Sequence, residues 1–256
     1  MKDNNTIYNK DHVVKEYQGF DFLFPPENEI LNFYTNNSYN KSMLDIGVGA
    51  GRTTKYFAPL FENYCGIDYA ESMIDACKKR FSEAAFQFKV ADARFLNEFV
   101  ESSFDFVLFS FNGIDCVSVT DRILVLNEIL RVLKPNGLYA FSIHNSYNIP
   151  DLYSLQIPKN PLSWIKEFKR KRGVNKLNSS IEQLLKKDFT EVIDGDLDFK
   201  ASYVYAKPEA QIKQLESVGF KVKNILSMKG KQIEIKSTKW EKIRDPWLYF
   251  LCEKKK

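Results

Sequence analysis

The sequence predicts an α/β fold built on a doubly wound, mostly parallel sheet. Short apolar runs alternate with segments of helical periodicity from residue 41 to about residue 145. The first run, 43–46, passes directly into Gly47-Val48-Gly49-Ala50-Gly51, a glycine-rich turn of the kind that lets backbone approach a ligand closely. The second run, 64–67, ends on Asp68. That is about 20 residues beyond the turn, where a nucleoside-binding fold places an acid for the ribose hydroxyls.

Taken in order, residues 1–40 are polar and aromatic. They predict helices over 11–17 and 27–34, the second opened by Pro25 and Pro26. A strand over 43–46 leads through the glycine turn to a helix over 52–58, stopped near Pro59. A strand over 64–67 and a helix over 71–81 follow, the helix carrying Ile74, Cys77 and Phe81 at helical spacing. Strands over 86–90 and 104–109 come next, then an amphipathic helix over 121–133 stopped by Lys134-Pro135-Asn136-Gly137. A fifth strand spans 138–143. The alternation breaks at about residue 145. Lys- and Arg-bearing helical stretches, 161–171 and 179–188, and a strand-like segment, 201–206, separate the first part of the sheet from its completion. That completion is a helix over 208–218, a stop at Gly219 and strands over 220–226 and 247–252. The insertion, 146–200, reads as a lid, because ligands in open α/β sheets sit at the carboxyl ends of the strands.

Composition narrows the class. A hydrophobic content of 44% with 21 Phe supports one well-packed domain of 256 residues. The net charge of +4 is too mild to indicate a nucleic-acid partner. Cys65, Cys77, Cys116 and Cys252 show no CxxC pair or metal-ligand spacing, so reduced thiols in a cytoplasmic protein and no metal site are expected. The N-terminal MKDNNTIYNK lacks the apolar segment of a signal peptide, and no apolar run approaches the roughly 20 residues of a membrane span. No membrane partner is therefore expected, and the oligomeric state is open.

The details of the turn select among nucleoside cofactors. A dinucleotide fingerprint asks for a glycine where this chain has Arg52, and Asp45 is an acid two residues ahead of the first glycine. With its acid-x-Gly-x-Gly-x-Gly run, the chain resembles the class I S-adenosylmethionine-dependent methyltransferases of small-molecule type. The likeness continues through Gly66-Ile67-Asp68-Tyr69-Ala70-Glu71-Ser72-Met73, Ala91-Asp92-Ala93, Phe104-Asp105-Phe106-Val107-Leu108 and the run Glu128 to Gly137. Gln214-Leu215-Glu216-Ser217-Val218-Gly219-Phe220 extends it toward the C-terminus. The resemblance implies a seven-stranded sheet with its last strand antiparallel and a helical lid between strands five and six. It divides the chain into an N-terminal helical cap (1–40), a cofactor-binding core (41–145), a specificity insertion (146–200) and a C-terminal completion (201–256). S-adenosyl-L-methionine is the implied cofactor and S-adenosyl-L-homocysteine the product.

The resemblance also implies roles for individual residues. Gly47, Gly49 and Gly51 admit the methionine moiety, and Asp45 helps hold its cationic amino end through the loop or a water. Asp68 takes the ribose hydroxyls as a bidentate acceptor. Tyr69 and Met73 sandwich the adenine, Asp92 and Ala93 read its edge, and Phe109 and Ser110 line the methionine side. Tyr17 closes over the cofactor.

His144 follows the fifth strand and could serve as general base. Phe111, Asn112, Asn145, Tyr147, Tyr203 and Tyr205 are candidates for contact with the acceptor. Their mix of aromatic rings, amides and hydroxyls suits a small, partly polar molecule methylated on oxygen or nitrogen by in-line displacement. Three readings stay beside this one. The basic run Lys166, Lys169, Arg170, Lys171, Arg172, if more than a solvated helix face, would suit an RNA or protein methyltransferase. A non-catalytic S-adenosylmethionine-binding protein would carry the same cofactor motifs. A dehydrogenase is disfavoured by Asp45 and Arg52. Asp194-Gly195-Asp196-Leu197-Asp198 reads as a turn, since it lacks the rest of a calcium-loop pattern.

Overall fold

The computed structural model describes residues 4–34, 41–156, 160, 163–235 and 239–255. Three helices, α1 (Asn4–Tyr8), α2 (Asp11–Gln18) and α3 (Pro25–Tyr34), precede β1 (Ser42–Ile46). The chain continues through α4 (Thr54–Phe57), β2 (Asn63–Asp68), α5 (Glu71–Arg80), β3 (Gln87–Val90), β4 (Phe104–Phe109), α6 (Arg122–Val132) and β5 (Leu133–Asn145). The insertion contributes α7 (Ile149–Tyr153), α8 (Trp164–Leu177), α9 (Ile181–Lys186) and β6 (Phe189–Val192). It is followed by β7 (Tyr203–Ala206), α10 (Pro208–Val218), β8 (Phe220–Leu226) and β9 (Trp247–Lys254).

β1 pairs in parallel with β2 and β4, β2 with β3, and β4 with β5. β9 runs antiparallel along β5, and β8 antiparallel along β9. These seven strands make the doubly wound sheet, in the order β3-β2-β1-β4-β5-β9-β8. Helices cover both faces, so the strands read as continuous apolar runs rather than alternating ones. Successive residues of β4 still serve opposite layers: Val107 and Phe109 enter one core, Phe106 and Leu108 the other. α5 buries Met73, Ile74, Ala76 and Cys77 along one stripe and ends on Lys78, Lys79 and Arg80, which suit the negative end of its dipole.

Two features differ from expectation. Among the described residues the sheet has nine strands rather than seven. The additional pair is β6 and β7, joined antiparallel, with β7 parallel to the last two residues of β5. His144 pairs with Trp247 on one side and Tyr205 on the other, so β7 occupies the edge that β4 leaves vacant when it ends at Phe109. The periodicity of 201–206 marked a strand, but not its partner, which lies inside the basic insertion. The other difference is at the stop after α6. Lys134-Pro135-Asn136-Gly137 does end the helix, yet it is absorbed into β5, which begins at Leu133. Its register against β4 slips between Phe104↔Leu133 and Phe106↔Leu138, and Asn136 takes φ 62° in the resulting bulge. In the insertion α8 begins at Trp164; residues 161 and 162, where its start was expected, lie outside the described residues. α9 starts where Ser180 caps it, the hydroxyl accepting from the Gln183 amide.

The N-terminal helices are fastened to the sheet by an ion pair. Glu27 in α3 is fully buried, and Arg52, at the end of the glycine turn, forks onto it with two bonds of 2.6 Å. The same carboxylate accepts from the Phe24 amide at 2.8 Å, from Ser110 just past β4, and from Tyr249 of β9 at 3.3 Å. The guanidinium lies 5.3–5.5 Å from the centroids of Phe22, Phe24 and Phe111. Glu27→Ala would leave a buried, unpaired guanidinium and is expected to cost about 3–5 kcal/mol in urea unfolding. The double variant Glu27→Leu/Arg52→Met should recover much of that loss, and a double variant no more stable than Glu27→Ala would contradict the assignment.

Candidate cofactor and acceptor site

A cavity of about 410 Å³ opens at the carboxyl ends of β1, β2 and β4, roofed by the N-terminal helices. Its floor is the glycine turn. Gly47 takes φ 62°, and a Cβ there would lie 2.9 Å from the Phe109 ring, so a side chain would meet both backbone strain and a clash. Gly51 has φ 82° but does not line the cavity; a Cβ on it would sit 2.5 Å from the Phe81 ring. It lets the turn pack on α5's end rather than touch a ligand. Tyr17 lies over Gly49, its Cδ1 3.2 Å from where a Cβ would be.

Asp68 ends β2 with both oxygens held by backbone, Gly49 N donating to one at 3.0 Å and Ala70 N to the other at 2.9 Å. Burial raises its pKa to about 6 despite those bonds. Asp45 is likewise raised to about 6 by burial, although Thr53 Oγ1 (2.7 Å) and Tyr64 OH (2.8 Å) both donate to its Oδ2. Asp92 is partly exposed. Its burial works upward on the pKa, but Arg94, bonded through Nε and Nη2, carries it below the usual carboxylate value.

The charge of the lining is distinctive. Asp45, Asp68, Asp92 and Asp121 face the cavity, and among the described residues no lysine does. Arg52 and Arg94 are the lining cations, and each is already paired, Arg52 with Glu27 and Arg94 with Asp92 and Asp121. Such a cavity suits a cationic nucleoside with a diol. It is unsuited to a pyrophosphate, which needs free cations or unengaged amides.

Of the expected cofactor residues, Tyr17, Asp45, Gly47, Gly49, Asp68, Tyr69, Met73, Asp92, Ala93, Phe109 and Ser110 line this cavity. Phe111 also does, on the acceptor side. Tyr8, Phe20, Thr53, Cys116 and Asp121 line it too, and none of them was marked by the sequence motifs. Tyr8 and Phe20 flank the helix of Tyr17 in a segment with no motif of its own, so only the packing of that segment on the sheet places them.

His144, Asn112, Asn145, Tyr147, Tyr203 and Tyr205 do not line the cavity. Phe111 and Asn112 take φ 55° and 57°, turning the chain so that Asn112 N donates to Ser142 Oγ at 2.7 Å. His144 is buried with Nδ1 2.9 Å from Asp115 Oδ2, which also accepts the His144 amide at 2.6 Å. Arg122, fully buried, holds the other oxygen of Asp115 at 2.7 Å. With its Nδ1 proton directed at the carboxylate, the imidazole turns the Nε2 lone pair toward Asn112 Nδ2, 3.3 Å away. Asp115, which no motif marked, thus orients His144. Asn145 uses its amide to bind the Ile243 and Asp245 carbonyls and the Tyr147 amide, and Tyr147 donates to Glu209, so both point into structural contacts. Tyr203 donates to Asp196 and Tyr205 to Asp194, which gives the acidic turn a role as acceptor for two tyrosines. Tyr203 reaches the cavity wall at second hand, its hydroxyl 3.4 Å from that of Tyr8. Among the described residues no group of three or more His, Cys, Asp or Glu is placed to hold a metal, and no helix is long and apolar enough to cross a membrane.

A mostly parallel sheet with antiparallel β9 beside β5, a glycine turn after β1 and an acid at the end of β2 define a class I methyltransferase domain. Residues 43–137 match the family model described as a methyltransferase domain, and that segment of the chain is similar to S-adenosylmethionine-dependent methyltransferases. It is 27% identical over 177 residues to the fatty-acid O-methyltransferase of Mycolicibacterium smegmatis, covering 62% of this chain and 62% of that one. The match thus spans about three fifths of the length of that relative. An S-adenosylmethionine-dependent methyltransferase structure from Mesorhizobium loti superposes with a TM-score of 0.65 at 14% identity, over 90% of this chain and 98% of that one. The Burkholderia thailandensis 1,6-didemethyltoxoflavin-N1-methyltransferase, solved with that substrate and S-adenosylhomocysteine, gives 0.55 at 13% identity, over 99% and 83%.

Because burial holds the Asp68 carboxyl near pKa 6 in the free protein, a ligand that needs it ionised must displace its proton at lower pH. Affinity for S-adenosylmethionine should therefore be flat above pH 7 and fall about tenfold by pH 5. Calorimetric titration across that range checks this, and Asp68→Asn should weaken binding and reduce the dependence to the part that Asp45, also raised to about 6, contributes. An affinity unchanged at pH 5 in the native chain would contradict it.

Proposed function

We propose that the protein transfers a methyl group from S-adenosylmethionine to an oxygen or nitrogen of a small, partly apolar organic acceptor. The observation that carries the reading is the acid-lined cavity whose arginines are both already neutralised. It offers carboxylates to a ribose diol and to positive charge, and nothing to phosphates. The bound cofactor would supply an electrophilic methyl on its sulfonium. Asp68 would hold the ribose hydroxyls, and Asp45, with Thr53 beside it, would meet the cationic amino end across the turn. Met73 and Tyr69 would flank the adenine, with Ala93 and Asp92 at its edge. Phe109 and Ser110 would border the reacting end.

At that end Tyr17, Phe20 and Phe111 form an aromatic wall, Tyr17 and Phe20 each about 6 Å from Phe111 between ring centroids. Such a wall excludes water and holds a planar or acyl acceptor in line. We assign His144 as the base for an acceptor that must lose a proton. Asp115 would hold its ring in place, and Asn112 would occupy Nε2 until the acceptor arrives. The first of the mentioned relatives acts on a fatty acid, an acceptor that is already ionised and needs no base. For such a substrate His144 would serve only to shape the pocket.

Incubation with methyl-labelled S-adenosylmethionine and cell extract, fractionated into metabolites, RNA and protein, tests the reading directly. Label should enter the metabolite fraction; label confined to RNA or protein would overturn the choice of acceptor. Asp68→Ala should weaken cofactor binding by about 100-fold, from two lost charge-assisted hydrogen bonds. His144→Ala should slow turnover of a protonated acceptor by about 10²-fold or more while cofactor affinity stays within a factor of about two. Undiminished turnover would remove it as a base.

A further inference from the structure

Helix α8 is inverted relative to a helix that simply covers a domain. Its inward face carries Glu167, 8% exposed, held by Arg170 through bonds of 2.8 and 2.6 Å. Arg170 also donates to the carbonyls of Leu152 and Ser154, and Val174 completes the buried side. The outward face carries Ile165 at 67% exposure, Phe168 at 57% and Leu177 at 47%. Trp164 packs its ring on Phe168, with centroids 5.9 Å apart. Positions 164, 165 and 168 fall at helical neighbour spacing, so these side chains form one patch over the first turns. Ordinary solubility would place the charged pair outside and these rings inside.

Cations surround the patch. Lys166, Lys169, Arg172 and Lys176 are exposed, and among the described residues none of them is in an ion pair. The only acid in the helix, Glu167, faces inward, so the outer face is positive without interruption. α8 also packs on the acidic turn that follows β6: Gly173 meets the Phe199 ring and Gly195 meets the Arg170 stem. Gly195 and Phe199 bracket Asp196, which accepts from Tyr203.

We propose that α8 is a docking face for an anionic lipid bilayer. Ile165 and Phe168 would enter the headgroup region, with Lys166, Lys169, Arg172 and Lys176 against the anionic surface. Exposed apolar side chains and unpaired cations on one face meet the two demands of such a surface together. An RNA strand would engage the cations and leave Ile165 and Phe168 in water. A helix lying in the interface needs no spanning segment, so the lack of a membrane-crossing helix among the described residues does not bear against this placement.

Sedimentation of the full chain with vesicles tests the proposal. The chain should pellet with mixed phosphatidylcholine–phosphatidylglycerol vesicles and not with phosphatidylcholine alone, and added salt should weaken the binding. Lys169→Glu and Arg172→Glu should each lower the partition coefficient about fivefold or more. Ile165→Asp/Phe168→Asp should abolish pelleting while the far-ultraviolet spectrum and the affinity for S-adenosylmethionine are unchanged. Three results would each overturn the proposal: no pelleting with anionic vesicles, pelleting indifferent to the apolar substitutions, or retention on RNA that survives their loss. Pelleting requires no turnover, so failure of the methyl-transfer reading would show separately, as absence of label in any fraction.

Discussion

Glu27 is the constraint around which the site is assembled. A carboxylate removed from water is strongly destabilising unless its charge and its oxygens are all answered. Here the partners come from Arg52 at the glycine turn, Ser110 beyond β4, Tyr249 in β9 and the Phe24 amide. These groups are far apart in sequence, and the carboxylate is satisfied only when all have arrived. The N-terminal helices therefore dock in one position, and that position puts Tyr8, Tyr17 and Phe20 over the cavity. The same contact draws Arg52, which borders the cavity, toward Glu27 and cancels its charge.

The remaining electrostatics follow from that cancellation. With Arg52 committed to Glu27 and Arg94 shared between Asp92 and Asp121, burial outweighs the hydrogen bonds to Asp45 and Asp68 and the pull of Arg52 on Asp45, and both acids sit near pKa 6. Burial without a full partner is a cost that a cationic ligand can relieve, which supports the binding role proposed for these two acids. Asp115 behaves differently. It is fully buried but answered on both oxygens, by Arg122 on one side and by the His144 amide and ring on the other. Its role is to fix an imidazole, and the buried Arg122 makes that arrangement rigid.

β5 decides where the insertion meets the sheet. Its carboxyl end outruns β4, and the vacant edge is taken by β7. Tyr203 and Tyr205 consequently come beside His144, with ring centroids 5.4 and 4.6 Å away, and the acidic turn that receives their hydroxyls comes under α8. An insertion with no recognisable motif is thereby joined to the carboxyl end of β5 through one short stretch of parallel pairing.

What the sequence by itself determined was whatever depends on neighbours along the chain. The strand at 43–46, the glycine turn, the acid at Asp68 and the helices before and after them are written in local periodicity and backbone freedom, and the structure keeps them nearly to the residue. Most of the cavity lining was legible for the same reason, since those residues follow the ends of strands β1, β2 and β4. The tertiary structure alone decided the rest. The pairing of β6 with β7, the partnership of Asp115 with His144 and the bond of Glu27 to Arg52 join groups with no fixed spacing between them. Asn145 and Tyr147 looked like acceptor contacts because they follow β5, yet their polar groups turn to the chain between residues 209 and 245. Position after a strand sets where a side chain starts; the nearest unsatisfied donor or acceptor in the folded chain sets where it ends.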